Sequence, residues 1–274
     1  MIALNGHNLS VADVWQIATL QSACALAEDA RPLIQRSRQL VESLAAQPRA
    51  IYGINTGFGP LSGFRIADKE LAQHQINLLH HLTVGQGALF PPVETRAIML
   101  ARANALARGY SGIREELIDL LLAALNRSVL PEIPSEGSVG ASGDLVPLAH
   151  MANLLVGLGH AQVDGQRLPA TEALRRAGLS PVRLQCKEGL ALVNGTSVMT
   201  ALAALATHES SRLLRWMELL TACLFQALGG EPEVLCQQVH KARGFRGQSI
   251  VAQRISDSLR THPEIGRASC RERV

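Results

Sequence analysis

The chain has 274 residues, 47% of them hydrophobic and 18% charged, which is enough to bury a large core and too apolar for a disordered segment. Its 26 basic and 23 acidic residues give a net charge of +3. The Lys and Arg lie scattered among Asp and Glu without a run or stripe, which argues against nucleic acid or an anionic membrane as partner.

The opening MIALNGHNLSVADVW lacks a basic start, an apolar stretch and a cleavage site, and five cysteines without regular spacing give no disulfide framework. A reducing, cytoplasmic setting is expected. Helical periodicity dominates, in segments filled with Ala, Leu, Glu, Arg and Gln, and only 3% of residues are aromatic, so the fold class is mainly α. In chain order the pattern predicts helices over 11–20, 30–46, 68–82, 92–108, 114–126, 145–158, 171–177, 187–228 and 248–260, the long one interrupted near Asn194 and Gly195. Residues 161–168 read as a small hairpin closed by Asp164-Gly165. Gly and Pro concentrate in 52–63, 85–92 and 131–143, the loops where chemistry is expected to sit.

The run 201–228 is long enough to span a membrane, but it carries His208, Glu209, Arg212, Arg215 and Glu218. Such charges are costly at mid-bilayer, so the run predicts a buried helix of a soluble bundle. Residues 265–274, IGRASCRERV, back-translate to a string that matches a common sequencing-library adapter. The native sequence is therefore expected to stop near Glu264, with adapter read-through after it.

The densest chemical signal is Gly137-Ser138-Val139-Gly140-Ala141-Ser142-Gly143-Asp144-Leu145, followed by Pro147, Leu148, Ala149 and His150. Its glycines allow turns that residues with a Cβ resist, and Asp144 or Ser142 is placed to cap the helix that follows. The loop lacks the Gly-Lys-Ser/Thr ending of a P-loop and the Rossmann glycine spacing, and Pro131 and Pro134 stand where an apolar strand would precede it. A turn this tight suits internal cyclisation, in which the nitrogen of Gly143 approaches the carbonyl carbon of Ala141. The whole string resembles the signature of the histidine, phenylalanine and tyrosine ammonia-lyase family. By that resemblance, Ala141, Ser142 and Gly143 close autocatalytically into a methylidene-imidazolone electrophile, and no metal is needed. The positive end of the helix starting near Leu145 would favour negative charge arriving there.

Two further segments match the family in order. Tyr52-Gly53-Ile54-Asn55-Thr56-Gly57-Phe58-Gly59 is similar to the family's tyrosine loop, which implies that Tyr52 removes the β-proton of the substrate. A free phenol, with a pKa of about 10, is rarely ionised, so helix N-termini and donors are expected to favour its anion. Read without the family, Tyr52 is a packed tyrosine beside a glycine turn. Leu190-Ala191-Leu192-Val193-Asn194-Gly195-Thr196 resembles the family's second stretch, whose Asn lies by the active site; alone, Asn194-Gly195 is a turn. The resemblance covers essentially residues 2–264, including 108–113 and 242–248.

In the family a residue pair before a Gly-x-Gly turn meets the substrate's side chain. Anchored on Gly85-Gln86-Gly87, the pair is His81-Leu82. The resemblance associates His-Leu with tyrosine, Ser-His with histidine and Phe-Leu with phenylalanine, and a site built to pair with a hydroxyl discriminates against analogues without one. Tyrosine, giving p-coumarate, is therefore the favoured substrate, with histidine, giving urocanate, as the alternative. His80 stands beside the pair, so a register one residue off changes it; in the plainer reading both histidines are helix residues facing solvent. Gly59 and Leu145 are expected beside His81 and Leu82 in the pocket.

Cys236 and His240 have helical spacing but no second pair, so no metal site is expected. His150 reads as a hydrogen-bonded core residue, and Trp15 and Trp216 as packing residues. The resemblance implies an aspartase and fumarase type of architecture, with residues 1–182 carrying the reactive loop and 183–264 beginning a central helical bundle. It also implies a small aromatic amino acid as the bound molecule and assembly as a homotetramer. The chain as written is then an N-terminal fragment expected to be inert, with a non-catalytic role as the alternative.

Overall fold

The structure, a computed structural model, describes residues 1–261; the proposed read-through at 265–274 and the boundary at 264 lie outside the described residues. Two compact units emerge, Met1–Ala206 and a second beginning at Thr207. The helices are α1 (Val11–Thr19), α2 (Arg31–Ala45), α3 (Leu71–Leu82), α4 (Pro92–Ala107), α5 (Glu115–Asn126), α6 (Leu145–Leu155), α7 (Ala170–Arg176), α8 (Glu188–Val193), α9 (Ser197–Ala227), α10 (Gln237–Ala242) and α11 (Arg246–Thr261). All nine segments predicted as helix are helical, and the long one is divided at 194–196 as expected. The strands are β1 (Ile2–Leu4), β2 (Cys24–Leu26), β3 (Gln86–Leu89), β4 (Leu130–Pro131), β5 (Pro134–Glu136), β6 (His160–Val163) and β7 (Gln166–Pro169).

The core of the first unit is built around α4, which packs against α1 and α5. Ala97, Ile98, Met99, Leu100, Ala103 and Leu106 are all buried, together with Leu117, Ile118, Leu121 and Leu125 of α5. A helix buried without a break from Thr95 to Leu100 belongs inside a bundle, and trimming one such leucine to alanine costs about 2–5 kcal/mol. Polar groups inside this core are matched to backbone ends. Arg96 on α4 donates to the carbonyls of Ile17 at 3.0 Å and Leu125 at 3.0 Å, capping the last turns of α1 and α5.

The strands are short and peripheral. β1 and β2 pair in parallel, β3 pairs antiparallel with β5, and β4, β6 and β7 form one antiparallel sheet. The hairpin between β6 and β7 turns at Asp164 and Gly165, both at positive φ, as the Asp-Gly pair predicts. The β3–β5 pairing ties the end of α3 to the chain entering the glycine-rich loop, with Gln86 opposite Glu136.

In the second unit, α10 and α11 pack together, and the buried carboxylate of Glu218 pairs with Arg254 at 3.2 Å. The expectation of a buried helix over 201–228 needs correction here. Leu213, Leu214, Trp216, Met217, Leu220 and Leu224 are exposed, because in the part of α9 beyond residue 206 the described residues cover the side bearing Glu218 and Ala222. Trp216, expected to be a packing residue, is accordingly exposed among the described residues.

Candidate active site

The loop before α6 folds back on itself. Gly143 lies in bridge contact with both Gly140 and Ala141, and Gly140 and Gly143 have φ of +69° and +80°. These are left-handed conformations that glycine adopts without strain. The hydroxyl of Ser138 accepts the N–H of Gly140 and donates toward Gly143 O and the Asp144 carboxylate at 3.3–3.4 Å. Ala141 and Ser142 are exposed at the tip, Gly143 is half-buried, and Asp144 is buried.

A second turn grips this loop from below. Gly195 O accepts the N–H of Asp144 at 2.7 Å, and a side chain at position 143 would run into the same carbonyl. Asp144 Oδ2 accepts the N–H groups of Val198 and Met199, each at 3.0 Å. The expectation that Asp144 or Ser142 caps α6 with its side chain is therefore corrected: neither does, and the Asp144 carboxylate caps the N-terminus of α9 instead. The donors at the start of α9 would otherwise be unmet, whereas the start of α6 adjoins the exposed loop.

Asn194 is the extended residue separating α8 from α9, at φ −86° and ψ 106°. It is exposed and shares with Tyr52 a cavity of about 310 Å³, lined also by Arg102, Tyr110, Ser111 and Lys187. The ring of Tyr52, 59% exposed, meets Phe58 edge-on at 6.5 Å, and Phe58 in turn stacks on His74 at 4.7 Å. The tyrosine turn is fixed against α8: Cys186 Sγ donates to Ile54 O at 2.8 Å, and Gly53, at φ +74°, leaves no room for a side chain beside Leu190. Glu188, fully buried at the head of α8, is held by Arg114 at 2.7 and 2.9 Å. Thus one short helix places the Tyr52 turn and the Asn194 turn together, and the Asn194 turn holds Gly143 and Asp144.

The remaining predicted residues are not drawn into this cluster by any contact among the described residues. His80 and His81 are both exposed at the end of α3, and Leu82 packs half-buried against the core. Leu145 also packs partly against the core, and Gly59 lies exposed at φ +55° in the turn Gly59–Leu61. His150, as expected, is hydrogen-bonded: its Nε2 accepts the N–H of Gly85 at 3.2 Å.

Two cations escaped the sequence reading. Arg102 on α4 is 3% exposed and donates through Nη2 to the carbonyls of Ala191 and Asn194, the latter at 2.9 Å. Burial pushes its guanidinium down to about 10, and its Nε has no partner. Lys187 donates to Ser111 O at 2.6 Å, and burial holds its ammonium below the ordinary range. The signal for Arg102 lay in the pattern: an arginine inside the apolar run of α4 demands a specific partner.

Chemically, the loop fits internal ring closure. The residue whose nitrogen must attack is a glycine, its Cβ position is filled by the Gly195 carbonyl, and its backbone lies against Ala141. The mainly α fold is of the aspartase and fumarase type, and it sets a loop folded back on itself beside the turn bearing Asn194, which shares a cavity with Tyr52. The sequence matches the family described as aromatic amino acid lyase over residues 9–274, and the chain belongs to that family, which forms its methylidene-imidazolone autocatalytically. It is 45% identical to a histidine ammonia-lyase of Geobacillus thermodenitrificans over 93% of this chain and 51% of the relative. It is 46% identical to a histidine ammonia-lyase of Anaeromyxobacter sp. (strain K), again over 93% of this chain and 51% of the relative. Its fold is similar to tyrosine aminomutase from Streptomyces globisporus, with a TM-score of 0.87 at 34% identity over 93% of this chain and 48% of that one. It is also similar to histidine ammonia-lyase from Trypanosoma cruzi, with a TM-score of 0.86 at 31% identity over 93% and 50%. The chain spans about half the length of the curated relatives it matches.

Proposed function

We propose that this chain supplies the electrophile and the base of an ammonia-lyase acting on an aromatic L-amino acid, giving the trans-arylacrylate and ammonia without oxidation. The observation that carries the reading is the loop folded back on itself with Gly143 pressed against Gly195 O. The nitrogen of Gly143 attacks the carbonyl carbon of Ala141, and the carbonyl oxygen leaves as water. Loss of the Ser142 hydroxyl with its α-hydrogen removes a second water and leaves an exocyclic methylene. When formed, this group supplies an electrophile toward the substrate. Tyr52 takes the β-proton, and Asn194, across the shared cavity, helps hold the substrate.

Histidine, giving urocanate, is the first substrate reading, supported by curated relatives at 45% and 46% identity that bear that name. Tyrosine, giving p-coumarate, is the second, favoured by His81-Leu82, with Gly59 and Leu145 beside them. In this reading residues 1–182 carry the reactive loop and 183–264 begin the central bundle. Homotetrameric assembly, a cytoplasmic setting and the inertness of the 274-residue chain by itself belong to the same proposal. The test offers histidine, tyrosine and phenylalanine separately to the protein expressed at its full native length and follows product absorbance. Arylacrylate with release of ammonia supports the reading; no elimination from any of the three overturns it.

A further inference from the structure

We propose that Arg102 is a positioning residue that locks the Asn194–Gly195 turn and thereby sets the geometry in which Ala141, Ser142 and Gly143 close. The inference rests on the ring-forming role of that loop given above. Arg102 projects from α4, the helix around which the core of the first unit is built. Its Nη2 donates to the carbonyls of Ala191 and Asn194, which end α8 and open the turn, and its Nη1 fills the space that a side chain at position 195 would need. Gly195 O in turn accepts the N–H of Asp144 at 2.7 Å and occupies the space beside Gly143. A continuous line of contacts therefore runs from the guanidinium through Gly195 to the α-carbon of Gly143 and the N–H of Asp144, on either side of the Gly143 peptide.

Burying a cation that meets only carbonyl groups is costly, and an apolar side chain would suit this part of α4 better on stability alone. What the guanidinium offers is a rigid fork that reaches two carbonyls and one Cα at once. Asn194 is extended and exposed and Gly195 has no side chain of its own, so beside the backbone bonds of Asp144 to Gly195 O and of Asn194 to Leu190 O the guanidinium is what anchors the turn to α4. Drift at Gly195 moves the carbonyl that lies against the Gly143 α-carbon and holds the N–H of Asp144, and with it the approach of the Gly143 nitrogen to Ala141 on which closure depends.

The test uses the protein at its full native length, with the intact mass reading the fraction of chains two waters lighter than encoded and near-ultraviolet absorbance reading the ring. Arg102→Met is expected to fold, judged by circular dichroism and tetramer mass, yet to remain largely at its encoded mass. Arg102→Lys should recover part of the closure. Gly195→Ala, which keeps the arginine but displaces it, should lose closure as Arg102→Met does. A purely structural arginine would lower the melting temperature and leave the folded fraction fully cyclised; that result in Arg102→Met overturns the inference. If Arg102→Met does not fold, complete closure in Gly195→Ala overturns it and lost closure supports it. A parent protein at its unmodified encoded mass overturns the ring reading as well, which separates the two failures.

Discussion

The carboxylate of Asp144 accepts the backbone N–H of Val198 at 3.0 Å, so the residue that opens α6 closes the amino end of α9. It also accepts from Met199, and its own N–H is taken by Gly195 O. One side chain thus joins the reactive loop to the longest helix across 54 residues of sequence. Asp144→Ala should leave two helix donors unmet and cost about 0.5–2 kcal/mol, the usual loss of a helix cap. Asp144→Asn, which keeps an acceptor, should cost less. Thermal unfolding of the two variants against the parent checks this, and an unchanged midpoint for Asp144→Ala would refute the capping role.

Gly143→Ala faces two obstacles, a φ of +80° and the Gly195 carbonyl in the place of a Cβ. The variant should not form the ring, and its mass should equal the encoded value. Gly140→Ala makes a useful contrast, because the space around that position is open even though its φ is positive. It should cyclise more than Gly143→Ala, and equal closure in both would show that the Gly195 contact is irrelevant.

Burial holds His150 below its ordinary value of 6.5, and its bare Nε2 must stay unprotonated to accept the N–H of Gly85. Above about pH 6.5 the ring is neutral in both folded and unfolded chains, and this stability is fully present. As the pH falls below that value the unfolded chain binds protons first, so stability declines until the folded-state value is passed. His74, also held low by burial, adds a decline of the same sign. Urea midpoints measured from pH 8 to 5 should fall, and His150→Gln should flatten part of the slope. A slope identical to the parent's would remove His150 from the account.

His81→Phe separates the substrate readings. If His81 meets a phenol hydroxyl, tyrosine turnover should fall and phenylalanine turnover rise, with the lost hydrogen bond costing about 1–3 kcal/mol in the ratio. The exposure of His81 in this chain makes the contrary outcome equally informative. An unchanged tyrosine-to-phenylalanine ratio means that the side chain faces solvent.

Helix periodicity made most of the first unit legible, since segments such as α1 and α5 carry apolar faces that only a helix can bury together. The Asp-Gly hairpin was equally plain. Strands β1 and β2 were not, because three-residue parallel pairs contain too few residues to show a period. The glycine spacing marked the reactive loop, yet the grip of Gly195 on Gly143 joins positions 52 apart in sequence and leaves no local trace. For the same reason the reach of Asp144 to α9 was missed in favour of the nearer helix. Arg102 could have been found as a charge in an apolar stripe, but its targets are backbone carbonyls, which no residue pattern reveals.

The proposed elimination depends first on Ala141, Ser142 and Gly143 closing into a ring. Intact-mass analysis of the full-length protein beside its Ser142→Ala variant tests it most directly. The parent is expected to be two waters lighter than encoded, with near-ultraviolet absorbance beyond that of its tryptophans, and the folded variant to keep its encoded mass without that absorbance. A folded parent at its full encoded mass that still releases ammonia from an aromatic amino acid would contradict it.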